Sequence, residues 1–212
     1  MSIFIVSFIG ALCNIDITAF GQFMIYRPIF CAPLIGFFAG DIITGVCIGI
    51  ISELFWTKVT PMGVSVIPDI SMIGILSTFW ACTYFPGLKD AAILAILLAI
   101  PFAYLYKLVD MVGRKFNTKI MYWVEDGIKN TKNWHIEAGI LIGLFSFFLR
   151  AFLFYLVAVS IGNKLFCNIY GVLPECILSG FTKAWYLFPV AGFGVAYNMA
   201  NVRGLFLRDS KK

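Results

Sequence analysis

Three carboxylates and one guanidinium stand in apolar surroundings in this sequence. Asp41 and Glu53 lie within "GFFAGDIITGVCIGIISE", residues 36–53, Asp69 follows Pro68, and Arg150 sits in "FFLRAFLF". An ionised side chain in hydrocarbon costs several kcal/mol, so one found there is paired, caps a helix or serves a function. A carboxylate accepts several hydrogen bonds and donates none, which suits the hydroxyls of a polar solute such as a sugar. Asp41, between Gly40 and "IITG", is placed to cap a new helix. Glu53 lies toward the end of its apolar run, where a carboxylate does not complement the helix dipole. It therefore pairs with Arg27, Lys58 or Arg150, or it meets a polar solute. Asp69, at the break made by Pro68, is open to both capping and solute binding. Arg150 is expected to face the interior or a water-filled cavity beside a carboxylate.

Covalent chemistry finds little support. His135 is the sole histidine and follows Trp134 at the start of an apolar run, an interfacial position. No phosphate-binding loop, metal-ligand cluster or nucleophile elbow is present. We expect no catalytic residue, metal or cofactor in this chain. Cys13, Cys31, Cys47, Cys82, Cys167 and Cys176 form no C-x-x-C pair and read as small apolar side chains.

The elements that must position these groups belong to a membrane. The chain is 61% apolar and 13% charged, with a mean hydropathy of +0.92. Soluble domains run near 45–50% and about 25%. The net charge of +5 reflects basic loops that orient membrane proteins, not a nucleic-acid partner. The N-terminus lacks a basic leader region, the first Lys or Arg being Arg27, and is expected to be retained. The runs 3–13, 28–40, 42–56 and 63–85, the last broken at Pro68-Asp69, are short or interrupted against the roughly 20 residues of a straight span. Longer spans are expected at 91–106, with a kink at Pro101, at 138–161 and at 186–202. Residues 107–134 carry six Lys or Arg and read as a cytoplasmic amphipathic helix at the membrane surface. The basic tail belongs on the same side, and residues 162–185 become an outer connection with a helix at 172–184. The fold expected is all-α: one polytopic integral membrane domain over 1–212, with transmembrane helices, broken helices and re-entrant hairpins. Interrupted helices at membrane depth line cavities, and in transporters they build the binding site. Gly36, Gly40, Gly45 and Gly49 have the spacing that lets helices approach closely.

The segment "RPIFCAPLIGFFAGDIITGVCIGIISELFW", followed by "GVSVIPDISMIGILSTF", resembles the membrane subunit IIC of the mannose/sorbose family of the bacterial sugar phosphotransferase system. Gly36, Gly40, Asp41, Gly45, Val46, Gly49 and Glu53 fall on the family's pattern, and Pro68-Asp69 on its second element. Weaker similarity continues through Arg150, Pro174-Glu175, Gly180 and "GFGVAYN". Cys47, Ile50, Ile51, Ser52, Met24 and Tyr26 depart from the usual residues, and typical members continue beyond the length seen here. The resemblance implies a multi-pass permease of the bacterial inner membrane. It would work with a IID membrane subunit as an oligomer of heterodimers moving in an elevator-like manner. Cytoplasmic IIA and IIB proteins would carry the phosphoryl group to a hexose-type sugar. It also implies that Glu53 and Asp69 lie at or near the sugar. The other reading is a transport-inactive scaffold or sensor for phosphotransferase proteins.

Overall fold

The computed structural model describes residues 2–18, 21, 23–56, 68–129 and 134–209. Among them the chain forms seven helices: α1 (Ile3–Thr18), α2 (Pro28–Ala39), α3 (Ile42–Trp56), α4 (Ile70–Tyr84), α5 (Lys89–Lys129), α6 (Trp134–Val172) and α7 (Glu175–Asp209). Lys58 and residues 63–67 lie outside the described residues. This is an all-α membrane fold in which four short apolar helices precede three long ones.

The short helices end where the sequence forbids continuation. α2 opens with Pro28 at its first turn, where the missing amide costs nothing, and closes on Gly40 at φ 90°. That left-handed conformation is cheap for glycine and lets the Gly40 and Asp41 amides reach carbonyls of the last turn, including Asp41 N to Gly36 O at 2.9 Å. The chain then reverses into α3. The two helices touch backbone to backbone. A Cβ on Gly36 would lie 2.8 Å from the Asp41 carbonyl and 3.0 Å from Gly45 Cα, and one on Gly49 would lie 2.7 Å from the Pro28 carbonyl. The small-residue spacing is thus used for close approach, which in lipid supplies packing without a hydrophobic driving force. Replacing Gly45 by leucine should cost about 3 kcal/mol, the upper end of ordinary overpacking, because the nearest obstacles are backbone atoms that cannot rotate away. A monodisperse size-exclusion profile for that variant in detergent would refute this, with Gly171→Leu, in open space, as the control.

α4 is the central element: every residue from Ser71 to Cys82 is buried. α2, α3 and α5 pack around it. The face of α5 turned inward is small, with Ala91, Ala92, Ala95, Ala99 and Ala103 all buried and Tyr106 following them. Trp80 of α4 fills the space beyond, stacked on Phe166 of α6 at 6.2 Å and edge-on to Phe102 at 5.6 Å.

Two expectations about the long elements need correction. Residues 91–106 and 107–129 are one helix, α5, of 41 residues that runs through Pro101 without interruption. The charges of its second half are spaced so that an inward-facing stripe persists, with Asp110, Gly113 and Gly127 buried, and so the helix packs along α6. The outer connection expected at 162–185 does not exist as such. α6 continues to Val172 and α7 begins at Glu175, because the break falls at Pro174. His135 is buried, packed against Trp123 and Trp134 at ring distances of 4.6 and 4.0 Å over Gly127. α5 and α6 are each long and apolar enough to cross a bilayer.

Candidate functional site

Helix termini gather at two places in the bundle. At one, Asp41 stands in the α2–α3 reversal. Its carboxylate accepts from the Thr44 amide at 3.1 Å, the Thr44 hydroxyl at 2.6 Å and the Gly87 amide at 2.9 Å. It caps α3 and also holds the turn between α4 and α5. An asparagine there would offer one acceptor oxygen where three donors converge.

At the other end the start of α2, the end of α3 and the start of α4 converge. A Cβ on Gly49 or on Gly74 would meet Pro28, at 2.7 and 3.2 Å, and the Cys31 thiol reaches the Ser71 carbonyl at 3.9 Å. Here Arg27 Nη1 donates to Glu53 Oε1 at 2.5 Å, with side chains 31% and 17% exposed. Of the partners considered for Glu53, Arg27 is one that the fold supplies, and Arg150 pairs elsewhere. The pair is only part-buried, so both charges remain within reach of a solute.

Asp69, buried at the same end, caps α4. Its Oδ1 accepts from the amides of Ser71 at 3.0 Å and Met72 at 3.3 Å, and from the Ser71 hydroxyl. Its Oδ2 accepts from Asn14 Nδ2 of α1 at 2.8 Å, and Asn14 Oδ1 in turn accepts from the Tyr106 hydroxyl of α5 at 2.8 Å. This chain of hydrogen bonds ties α1, α4 and α5 together. It lies near the middle of α5. Asp16, also of α1, accepts from the amides of Phe23 and Ile25 at 2.8 Å each and fixes the approach to α2. Pro68 is buried directly before Asp69.

Glu53, Asp69 and Arg27 therefore occupy one end of the broken helices, and Asp41 the other. Arg150 belongs to neither group. Its partner is Asp110 of α5, at 3.5 Å. Sequence reasoning missed Asn14, Asp16, Tyr106 and Asp110. The signal for three of them was present: an amide and two carboxylates within or beside apolar runs, subject to the same cost that singled out Asp41.

The chain matches over residues 1–207 the family model described as the PTS system sorbose-specific IIC component. The chain belongs to that family. The mannose-specific EIIC component of Escherichia coli K12 is 26% identical over 201 residues, covering 93% of this chain and 71% of that protein. The fructose permease IIC component of Bacillus subtilis strain 168 is 24% identical over 178 residues, covering 84% and 64%. Among solved structures, one described as a membrane protein superposes with a TM-score of 0.73 at 22% identity, covering 93% of this chain and 79% of that one. The mannose transporter ManYZ in complex with microcin E492 superposes at 0.63 with 24% identity, covering 93% and 77%. These two establish that the fold is shared. As a sorbose-type IIC protein, the chain is a permease component of sugar uptake in the mannose family.

Proposed function

We propose that this chain, with a IID-type membrane subunit, forms the pathway that binds a hexose-type sugar and presents it to a cytoplasmic IIB protein for phosphorylation. IIA supplies the phosphoryl group to IIB, and no residue of this chain takes part in its transfer. The observation that carries the reading is that the Arg27–Glu53 pair and Asp69 lie at the same end of three short helices that converge at Pro28. Carboxylates at helix breaks beside a guanidinium offer acceptors and a donor fork to sugar hydroxyls. Glu53 and Asp69 are the sugar-contacting residues in this reading. Gly36, Gly40, Asp41, Gly45, Gly49, Pro68 and Arg150 hold the frame.

Two features support a membrane partner. Short helices cannot leave backbone groups to lipid, and α7 presents Tyr186, Leu187, Val190, Phe193 and Tyr197 outward, a stripe that a second subunit would cover. The complex sits in the bacterial inner membrane as a multi-pass assembly of heterodimers, with the basic half of α5 and the C-terminal tail on the cytoplasmic side.

The test is uptake of labelled hexoses in cells with and without this gene, the partner subunit being co-expressed. Uptake above the deletion background is expected for at least one hexose. Correct membrane expression and copurification of the partner, with no uptake of any hexose, would make the chain a scaffold instead.

A further inference from the structure

The charges around Asp110 are not balanced. Asp110 is buried on α5 and faces three cations: Lys107 at 3.9 Å, Arg114 at 3.1 Å and Arg150 of α6 at 3.5 Å. One negative charge among three positive ones leaves an excess of two. The Arg150 side chain is 13% exposed, and its Nε is buried without an acceptor. Asn117, beside it, has a buried amide oxygen that is also without a partner. A Cβ on Gly113 would lie 1.4 Å from Arg150 Nη1, so the guanidinium rests directly on the α5 backbone. A buried guanidinium donor left unpaired is costly, and here it borders open space.

That space has two compartments. One, of about 550 Å³, is lined by Asp110, Arg114, Asn117, Gly139, Gly143 and Arg150. The other, of about 630 Å³, is apolar, with Val109, Phe116, Phe145, Leu149, Leu153 and Phe154 on its walls. Arg150 lines both. A cationic compartment opening into an apolar groove matches a molecule with an anionic head and a long hydrocarbon tail. The position fits as well, since the basic half of α5 begins at Lys107, the level at which an amphipathic helix meets headgroups. Basic pockets between membrane helices are a recognised place for anionic headgroups.

We propose that α5 and α6 form a binding site for an anionic phospholipid, its phosphate held by Arg114 and Arg150 and one acyl chain laid in the groove of Phe116, Leu149 and Leu153. The two guanidinium forks suit a phosphate, which accepts paired hydrogen bonds. Asp110 holds both arginines in place.

The test uses the full chain in detergent with any copurifying subunit, delipidated and titrated with phosphatidylglycerol or phosphatidylcholine of the same acyl chains, bound lipid being counted by native mass spectrometry. Both lipids carry the phosphate, and they differ in the choline ammonium, which the excess positive charge of Lys107, Arg114 and Arg150 repels; phosphatidylglycerol should therefore bind about tenfold tighter. Arg114→Gln should abolish that preference, and so should Gly143→Leu, which fills the polar compartment without altering charge. Lys119→Gln, the same charge change on α5 outside the pocket, should leave it intact. Equal binding of the two lipids, or an equal effect of Arg114→Gln and Lys119→Gln, would overturn the proposal. So would displacement of phosphatidylglycerol by millimolar inorganic phosphate, which marks a soluble-anion site, or exclusion of lipid by the partner subunit, which marks a protein interface.

Discussion

Arg27→Gln and Glu53→Gln should each lower sugar affinity by about tenfold to a hundredfold, the scale of one or two hydrogen bonds to a charged group. The two single variants cannot by themselves separate a sugar contact from a structural pair, because each also strands its partner's charge. The double variant can. With both charges of the pair gone, neither strands the other, and folding should return toward the parental level, since replacing a pair is far milder than breaking one. If Glu53 meets the sugar, binding stays weak in the double variant. Equilibrium binding and detergent-phase thermal unfolding of all four proteins give the coupling directly. Recovery of parental sugar affinity in the double variant would show that Glu53 serves only to hold Arg27, across the 2.5 Å contact, and would remove it from the site.

Asp69→Ala should be the most damaging single change to the fold. It removes the cap from α4, worth about 0.5–2 kcal/mol, and leaves the buried Asn14 amide without its acceptor, a further 1–3 kcal/mol or so. Because Asp69 is buried and accepts from α1 as well as from its own helix, a total of about 1.5–5 kcal/mol is expected, which corresponds to a fall of roughly 3–20 °C in Tm for a chain of this size. Asp69→Asn should keep most of that stability. Its oxygen can still face the Ser71 and Met72 amides, while Asn14 turns over so that its own oxygen accepts from the new amide and its nitrogen donates to the Tyr106 hydroxyl. The comparison with Tyr106→Phe is informative, because phenylalanine cannot accept after that turn. Asp69→Asn should therefore become much more harmful in the Tyr106→Phe background. An Asp69→Ala protein that unfolds at the parental temperature would contradict the role given to this network.

The broken-helix pattern was legible because its signals are local. Gly40 ends α2 by its φ, Pro28 and Pro68 fix where helices begin, and both lie in the sequence as plain interruptions of apolar runs. The continuity of α5 was not legible. Lys107, Arg114, Lys115 and Lys119 have the composition of a surface helix, and nothing local states that Gly113 makes room for a guanidinium on α6. Partners distant in sequence were hidden for the same reason. Periodicity requires that Arg150 find a carboxylate, but the choice of Asp110 over Glu53 depends on how α5 and α6 align. Likewise the cost of burying Asn14 was visible in principle, whereas its place between Asp69 and Tyr106 is a product of three helices meeting.

The Asp41 carboxylate bonds at once to Thr44 and to Gly87, and this has a mechanical meaning. The tip of the α2–α3 hairpin and the corner between α4 and α5 are fastened to one another at a single point. With Gly36 and Gly45 in backbone contact behind it, the hairpin has little slack with which to bend on its own. Any displacement of the Glu53 end that left the start of α5 behind would first have to break the bond to Gly87. A displacement that preserves it must carry both chain reversals together.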